Sequence, residues 1–262
     1  MLRPCRWIAA LALCAIGGAA AASEPRAYPI AAGPELAGWL MLPAMRQQAP
    51  AVLILPDAGG PDAGTTLHAE ALEAAGLAVL VLDAPMLAGE AGLAQLRALH
   101  AALLASGRVD AARIGLLGIG TGGQVALMAL GRGTLPQPAA VAALYPGCAD
   151  LLAAEPFADG HGAEARLGAA PPVLVVAAEA DALDAPGACA SLVAGPLGGH
   201  AALHAYPAGR GFDAAGLAPA GLAIGYVTPE GRVARTLPDA RLALDAALRL
   251  SRFMAGALGG GP

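Results

Sequence analysis

The chain has 262 residues, of which 57% are hydrophobic, 13% charged and only 3% aromatic, with mean hydropathy +0.60. These figures suggest a membrane protein, but a span needs about 18 consecutive apolar residues, and past residue 22 the longer uncharged stretches, Ala185–Gly209 and Ala214–Pro229, are broken by Gly and Pro. The low charge is too balanced for a disordered chain, and 20 acids against 15 basic residues argue against a nucleic-acid partner.

Residues 1–22 read as an export signal. Arg3 and Arg6 precede the apolar run Ile8–Ala22, and Ala20-Ala21-Ala22 offers a cleavage site before Ser23. A lipid-anchored start would need a small residue before its cysteine, and Leu13 precedes Cys14. The expected product, residues 23–262, is a single domain in the periplasm or outside the cell, with no integral membrane span. It carries 13 Arg against 20 acids, a net of −7. Its two cysteines, Cys148 and Cys189, are expected to join. The bridge would close a 41-residue loop, worth roughly 4 kcal/mol by chain entropy; the alternative is two buried thiols.

Along that domain, short Leu- and Val-rich runs predict strands at Leu36–Leu42, Ala51–Leu55, Leu77–Leu82, Arg113–Leu117, Ala140–Tyr145, Pro172–Val176 and Ala201–Tyr206. Helical stretches alternate with them at Thr65–Ala75, Gly92–Ala105, Gly122–Leu130, Ala188–Ala194 and Asp239–Ala257. Strands apolar on both faces, alternating with helices, imply an α/β fold with a mostly parallel sheet covered on both sides. In the Gly- and Pro-rich stretch Phe212–Pro238, Leu222–Val227 and Arg232–Arg235 flank Thr228-Pro229-Glu230-Gly231 and predict a hairpin.

The most informative segment is Arg113–Gln124, where a strand runs through Gly118-Ile119-Gly120-Thr121-Gly122-Gly123 into a helix. Gly118, Gly120 and Gly123 satisfy G-x-G-x-x-G, so dinucleotide binding at Gly118–Gly123 is one reading. That reading needs the turn after the first strand and an acid some 20 residues on. Here several strands precede the turn, and the next one ends at Tyr145-Pro146 without an acid. The other reading is the nucleophile elbow of an α/β-hydrolase, a strained strand-to-helix turn.

With three further segments in order, the chain resembles the dienelactone hydrolase family from about Leu36 to the last helix. Leu55-Pro56-Asp57-Ala58-Gly59 resembles its oxyanion loop, Gly118–Gly123 its G-x-C-x-G-G elbow and Ala178-Glu179-Ala180-Asp181 its acid turn. Tyr206-Pro207-Ala208-Gly209-Arg210-Gly211-Phe212 resembles its histidine loop, one residue shorter. Tyr145-Pro146-Gly147-Cys148 is similar to exported members that pair this cysteine with one after the acid turn, here Cys189.

The resemblance implies an α/β-hydrolase fold and ester or lactone hydrolysis: a thiolate or alkoxide attacks the carbonyl, a His moves the proton and an Asp orients the His. Two of those three positions are changed. The nucleophile position is Gly120, and the histidine position is Arg210, a guanidinium that stays protonated and cannot act as a base. Only Asp181 is retained. An Asp181–Arg210 ion pair is expected in place of the His–Asp contact, with the N–H groups of Ala58 and Thr121 surviving as oxyanion donors.

Few substitutes are on offer. Ser23, Ser106, Ser191 and Ser251 lie away from the elbow, and His161 lies in a loop that could reach the site. His68, His100, His200 and His204 read as helix-face or strand-face residues; Asp57 is a candidate binding residue beside Ala58 and Thr121, and its place before Gly59-Gly60 reads chiefly as a turn former. No metal-ligand spacing occurs, and neither metal nor cofactor is expected. The expected function is non-catalytic binding of a small carboxylate or lactone. The alternatives are an active ester or lactone hydrolase using another residue or an activated water, and dinucleotide binding.

Overall fold

The computed structural model describes residues 26–33, 36–43, 48–135, 137–158, 170–214, 224–227 and 233–259. Both the export signal and His161 lie outside these residues. Among them, β1 (Arg26–Ala31), β2 (Ala37–Leu42), β3 (Ala49–Leu55), β4 (Ala78–Leu82), β5 (Val109–Ile119), β6 (Ala140–Leu144), β7 (Val173–Ala178) and β8 (Ala201–Tyr206) form one sheet. The strands lie in the order β1-β2-β4-β3-β5-β6-β7-β8. β2 is antiparallel to both of its neighbours, and β4, β3, β5, β6, β7 and β8 run parallel.

The seven expected strands are all present, Ala201–Tyr206 with the expected bounds and the other six with shifted ends, and β1 is an addition. Pro29 cannot donate to a ladder, so β1 gave no strand signal; at the sheet edge, paired to β2 alone, the proline is tolerated.

Side chains of the central strands alternate between two cores, as the pleat requires. From β3, Leu53 and Leu55 face one layer and Val52 and Ile54 the other. The first layer receives Leu93, Leu96, Leu99 and Leu103 of α2 (Gly89–Ala105) and Val125 of α3 (Thr121–Arg132). It also takes Leu151 of α4 (Cys148–Ala153) and Leu192 of α5 (Ala188–Ala194). The second layer takes Ala69 and Leu72 of α1 (Ala63–Ala74) and Ala246, Leu250 and Met254 of α6 (Ala240–Leu258).

Helix α4 was not expected, since six residues are too few to show a period. It forms because Asp184, 36 residues on, accepts the N–H groups of Cys148 and Ala149 at 2.8 Å each and so satisfies its first turn. The Cys148–Cys189 disulfide fastens the same two loops. A separate ribbon pairs β9 (Ile224–Val227) with β10 (Val233–Thr236), which agrees with the expected hairpin; its turn lies outside the described residues. No helix among the described residues is long and apolar enough to cross a membrane.

Candidate active site

Because β3, β5, β7 and β8 are parallel, the segments after them emerge at one edge of the sheet, where the ligands of open α/β sheets bind. These segments are the loop beginning Pro56-Asp57, the turn at Gly120, the acid turn at Asp181 and the loop Pro207–Asp213. Asp57, Ala58, Gly120, Thr121, Asp181 and Arg210 meet there.

Gly120 joins β5 directly to α3 with φ 55° and ψ −117°. L side chains rarely adopt that backbone, and glycine adopts it without strain. The turn is also too tight for side chains on its flanks: a Cβ on Gly122 would lie 2.0 Å from the Leu55 carbonyl oxygen, and one on Gly118 2.2 Å from the Gly122 oxygen. The glycine pattern that reads as a phosphate loop is thus accounted for by close backbone packing at an elbow.

Asp57 fills the place that a side chain at Gly120 would take. A Cβ built on Gly120 would lie 2.2 Å from both Cγ and Oδ2 of Asp57, so the carboxylate occupies the volume that an elbow side chain would take. Its Oδ1 accepts the Ala58 N–H at 2.7 Å and the Thr121 N–H at 2.8 Å. These are the two donors expected to form the oxyanion hole, and both are engaged by a carboxylate of the chain itself. Asp57 is also the turn former the sequence suggested, its backbone carbonyl accepting the Gly60 N–H at 2.9 Å. One residue therefore serves both as turn and as site; the sequence offered both roles, but not that the carboxylate would fill the volume at Gly120.

Arg210 lies between the two acids. Its Nε donates to Asp181 Oδ2 at 3.1 Å and its Nη1 to Asp57 Oδ2 at 3.4 Å, and its guanidinium carbon sits 5.2 Å from the centre of the Tyr145 ring. The ion pair with Asp181 matches the expectation; the contact with Asp57 is additional. Burial opposes the charge on Arg210, but the carboxylates of Asp181 and Asp57 outweigh it and hold its pKa above the ordinary value. Burial pushes the Asp181 carboxyl above the ordinary carboxylate value, against the charge of Arg210 and the Leu183 N–H. The site thus holds two carboxylates, one fixed cation and two polarised amides. The two amides and the guanidinium are donors of the kind that hold an anion.

A second polar cluster, built on the same loop, was not legible in the sequence. Asp213 accepts from the Tyr145 hydroxyl at 2.7 Å and lies 2.8 Å from His68 Nε2, all three side chains being buried. The partners are 68 and 145 residues away from it, so no local spacing announces them. His68 was expected on a helix face; it is on α1, but 1% exposed and paired. Its Nδ1 is the only buried side-chain nitrogen or oxygen among the described residues without a partner. Gly64 lets α1 approach, since a Cβ there would lie 2.9 Å from the Asp213 carbonyl oxygen.

The other candidates have structural roles. His100 is buried on α2, His200 ends the 3-10 turn Gly198–His200, and His204 on β8 packs edge-on to Tyr206. The hydroxyls of Ser106 and Ser251 donate to the helix carbonyls of Leu103 and Leu248. Ser191 lies within α5, away from any elbow. Among the described residues Cys148, Asp184 and Cys189 bring potential ligand atoms within 4.8 Å of one another, but the two sulfurs are bonded to each other.

No family model matches the chain, and no curated protein matches it. Solved structures match in fold. The α/β hydrolase enzyme MGS-M1 from a Medee basin deep-sea metagenome library superposes with TM-score 0.64 at 15% identity, over 90% of this chain and 98% of its own. This chain has the α/β-hydrolase fold. The dienelactone hydrolase-like promiscuous phosphotriesterase P91 from metagenomic libraries gives TM-score 0.63 at 16% identity, covering 88% of this chain and 97% of its own. Carboxyl esterase 2 of the mycorrhizal fungus Tuber melanosporum gives 0.61 at 18%, covering 91% and 89%. The fold is what this chain shares with these structures; the Asp57 carboxylate at the elbow is a feature seen in its own residues.

Proposed function

We propose that this chain is an exported, dienelactone-hydrolase-like protein that has lost covalent ester chemistry and keeps its site as a cradle for a small carboxylate or lactone group. The observation that carries this reading is the Asp57 carboxylate, seated where a nucleophile would project and bonded to both amides that would stabilise its oxyanion. Gly120 supplies no side chain, and Arg210 cannot serve as the general base that attack and leaving-group departure require. Two amides and a guanidinium converging on one point suit a carboxylate, because charge-assisted donors bind it more strongly than a neutral carbonyl. A pyrophosphate at Gly118–Gly123 would face the Asp57 charge at close range, which disfavours the dinucleotide reading.

The test is incubation of the secreted or periplasmic fraction with p-nitrophenyl acetate and with serine- and cysteine-directed covalent probes. The expected result is no turnover above buffer and no adduct. Turnover that Asp181→Ala abolishes would overturn the proposal. It would favour the second reading, an ester hydrolase using an activated water or another residue, which draws on the esterases sharing the fold.

A further inference from the structure

We infer that Asp57 is a resident ligand of the site, an intramolecular carboxylate that competes for the cradle formed by Ala58, Thr121 and Arg210, so that a free small carboxylate binds only by displacing it. The inference rests on the proposal that no acyl-enzyme forms here, and it deepens that proposal by saying what occupies the cradle at rest.

The arrangement is that of a bound carboxylate. One oxygen takes two backbone N–H groups from different segments, the loop after β3 and the first turn of α3, at 2.7 and 2.8 Å. The other oxygen faces the Arg210 guanidinium at 3.4 Å. Arg210 is 8% exposed and the side chain of Asp57 is 19% exposed, so the guanidinium lies deeper than the occupant, while Ala58 is exposed at the rim. The first-turn amide of a helix favours negative charge, and the occupant supplies it.

A tethered group competes at a fixed, high effective concentration. A free carboxylate must therefore expel Asp57 and leave its charge beside Asp181, with Arg210 as the only cation seen between them. Two acids per guanidinium also make the resting site repel a further anion. Removing the Asp57 side chain reverses both effects: it vacates a space the size of a carboxylate, frees two amides and leaves one acid against one cation. The ligand class of the vacated site is a short monocarboxylate such as formate or acetate, matched to the group that was removed.

The experiment compares wild type, Asp57→Gly and Asp57→Asn in the full exported protein. Each is titrated with sodium formate and sodium acetate against sodium chloride at equal ionic strength, with thermal unfolding and calorimetric binding as readouts. Asp57→Gly is expected to show saturable stabilisation by formate or acetate at least tenfold tighter than wild type. Asp57→Asn, whose amide still fills the cradle but carries no charge, is expected to fall between wild type and Asp57→Gly. If Asp57→Gly does not fold in chloride, recovery of its circular dichroism in formate is the expected result. A folded Asp57→Gly that responds to formate no more than wild type overturns the inference; so does failure of formate to recover an unfolded one, or an equal response from Asp57→Asn. Ester turnover by wild type would sink the proposed function through a separate measurement.

Discussion

Arg210 and Asp213 leave the same loop after β8, three residues apart, and enter two different clusters. Arg210 reaches the carboxyl edge of the sheet and bridges Asp57 and Asp181, while Asp213 turns inward to Tyr145 and His68. The elbow has the position for catalysis but lacks a histidine; the inner cluster has a histidine–aspartate pair but is 1% exposed at both residues. A His–Asp pair acts as a base only beside a nucleophile that substrate can reach, and buried under α1 it serves instead to hold α1 and the loop together. In this chain the chemistry of each cluster is decided by its place in the fold.

Four measurements break or sharpen that contrast, the largest effect first. Replacing Cys148 and Cys189 by Ser releases a loop of 41 residues and is expected to cost about 4 kcal/mol in urea unfolding. It would loosen the acid turn that carries Asp181 and leave His68–Asp213 in place. Asp213→Ala strands the His68 imidazole and the Tyr145 hydroxyl in the core and is expected to cost about 3 kcal/mol; a change below 1 kcal/mol would remove the cluster's structural role.

Gly120→Ser introduces a Cβ into the Asp57 carboxylate at a positive φ and is expected to cost about 2 kcal/mol. In an Asp57→Gly background the overlap is gone, so the double-mutant cycle should show coupling of about 1 kcal/mol or more. Additive losses would show that Asp57 does not occupy the elbow volume.

The smallest effect is in the acid range. The native pKa of Asp181 stands above its ordinary 3.8, chiefly through burial, so between those two values the folded protein binds more protons than the unfolded one. Stability from this group therefore increases as pH falls through the native pKa toward 3.8, and above the native pKa the buried charge works against folding. Asp181→Asn should flatten the stability profile in that window, and Arg210→Gln should raise the Asp181 pKa further, as read by side-chain carboxyl NMR titration.

Much of this architecture could be read directly. The alternation of apolar runs with helical stretches located seven strands of the sheet, because burial on both faces leaves a continuous Leu, Val and Ala signal. The order of the four loop motifs placed Gly120, Asp181 and Arg210 at one edge, because parallel strands bring successive loops to the same end. The Asp181–Arg210 pair followed from the resemblance to the dienelactone hydrolase family, which sets these two residues where that family's Asp and His meet. The edge strand β1 and the six-residue α4 were not legible, one masked by Pro29 and the other dependent on Asp184, 36 residues away.

What the sequence determined by itself was chemical inventory: Gly120 has no nucleophile, Arg210 is no base, and few Ser or His residues exist to replace them. Which group stands in their place was decided by the tertiary structure. The carboxylate of Asp57 reaches an elbow 63 residues later because β3 and β5 are adjacent and parallel, which sets the loop after one against the turn after the other. The missing Cβ of Gly120 leaves the space that the carboxylate fills.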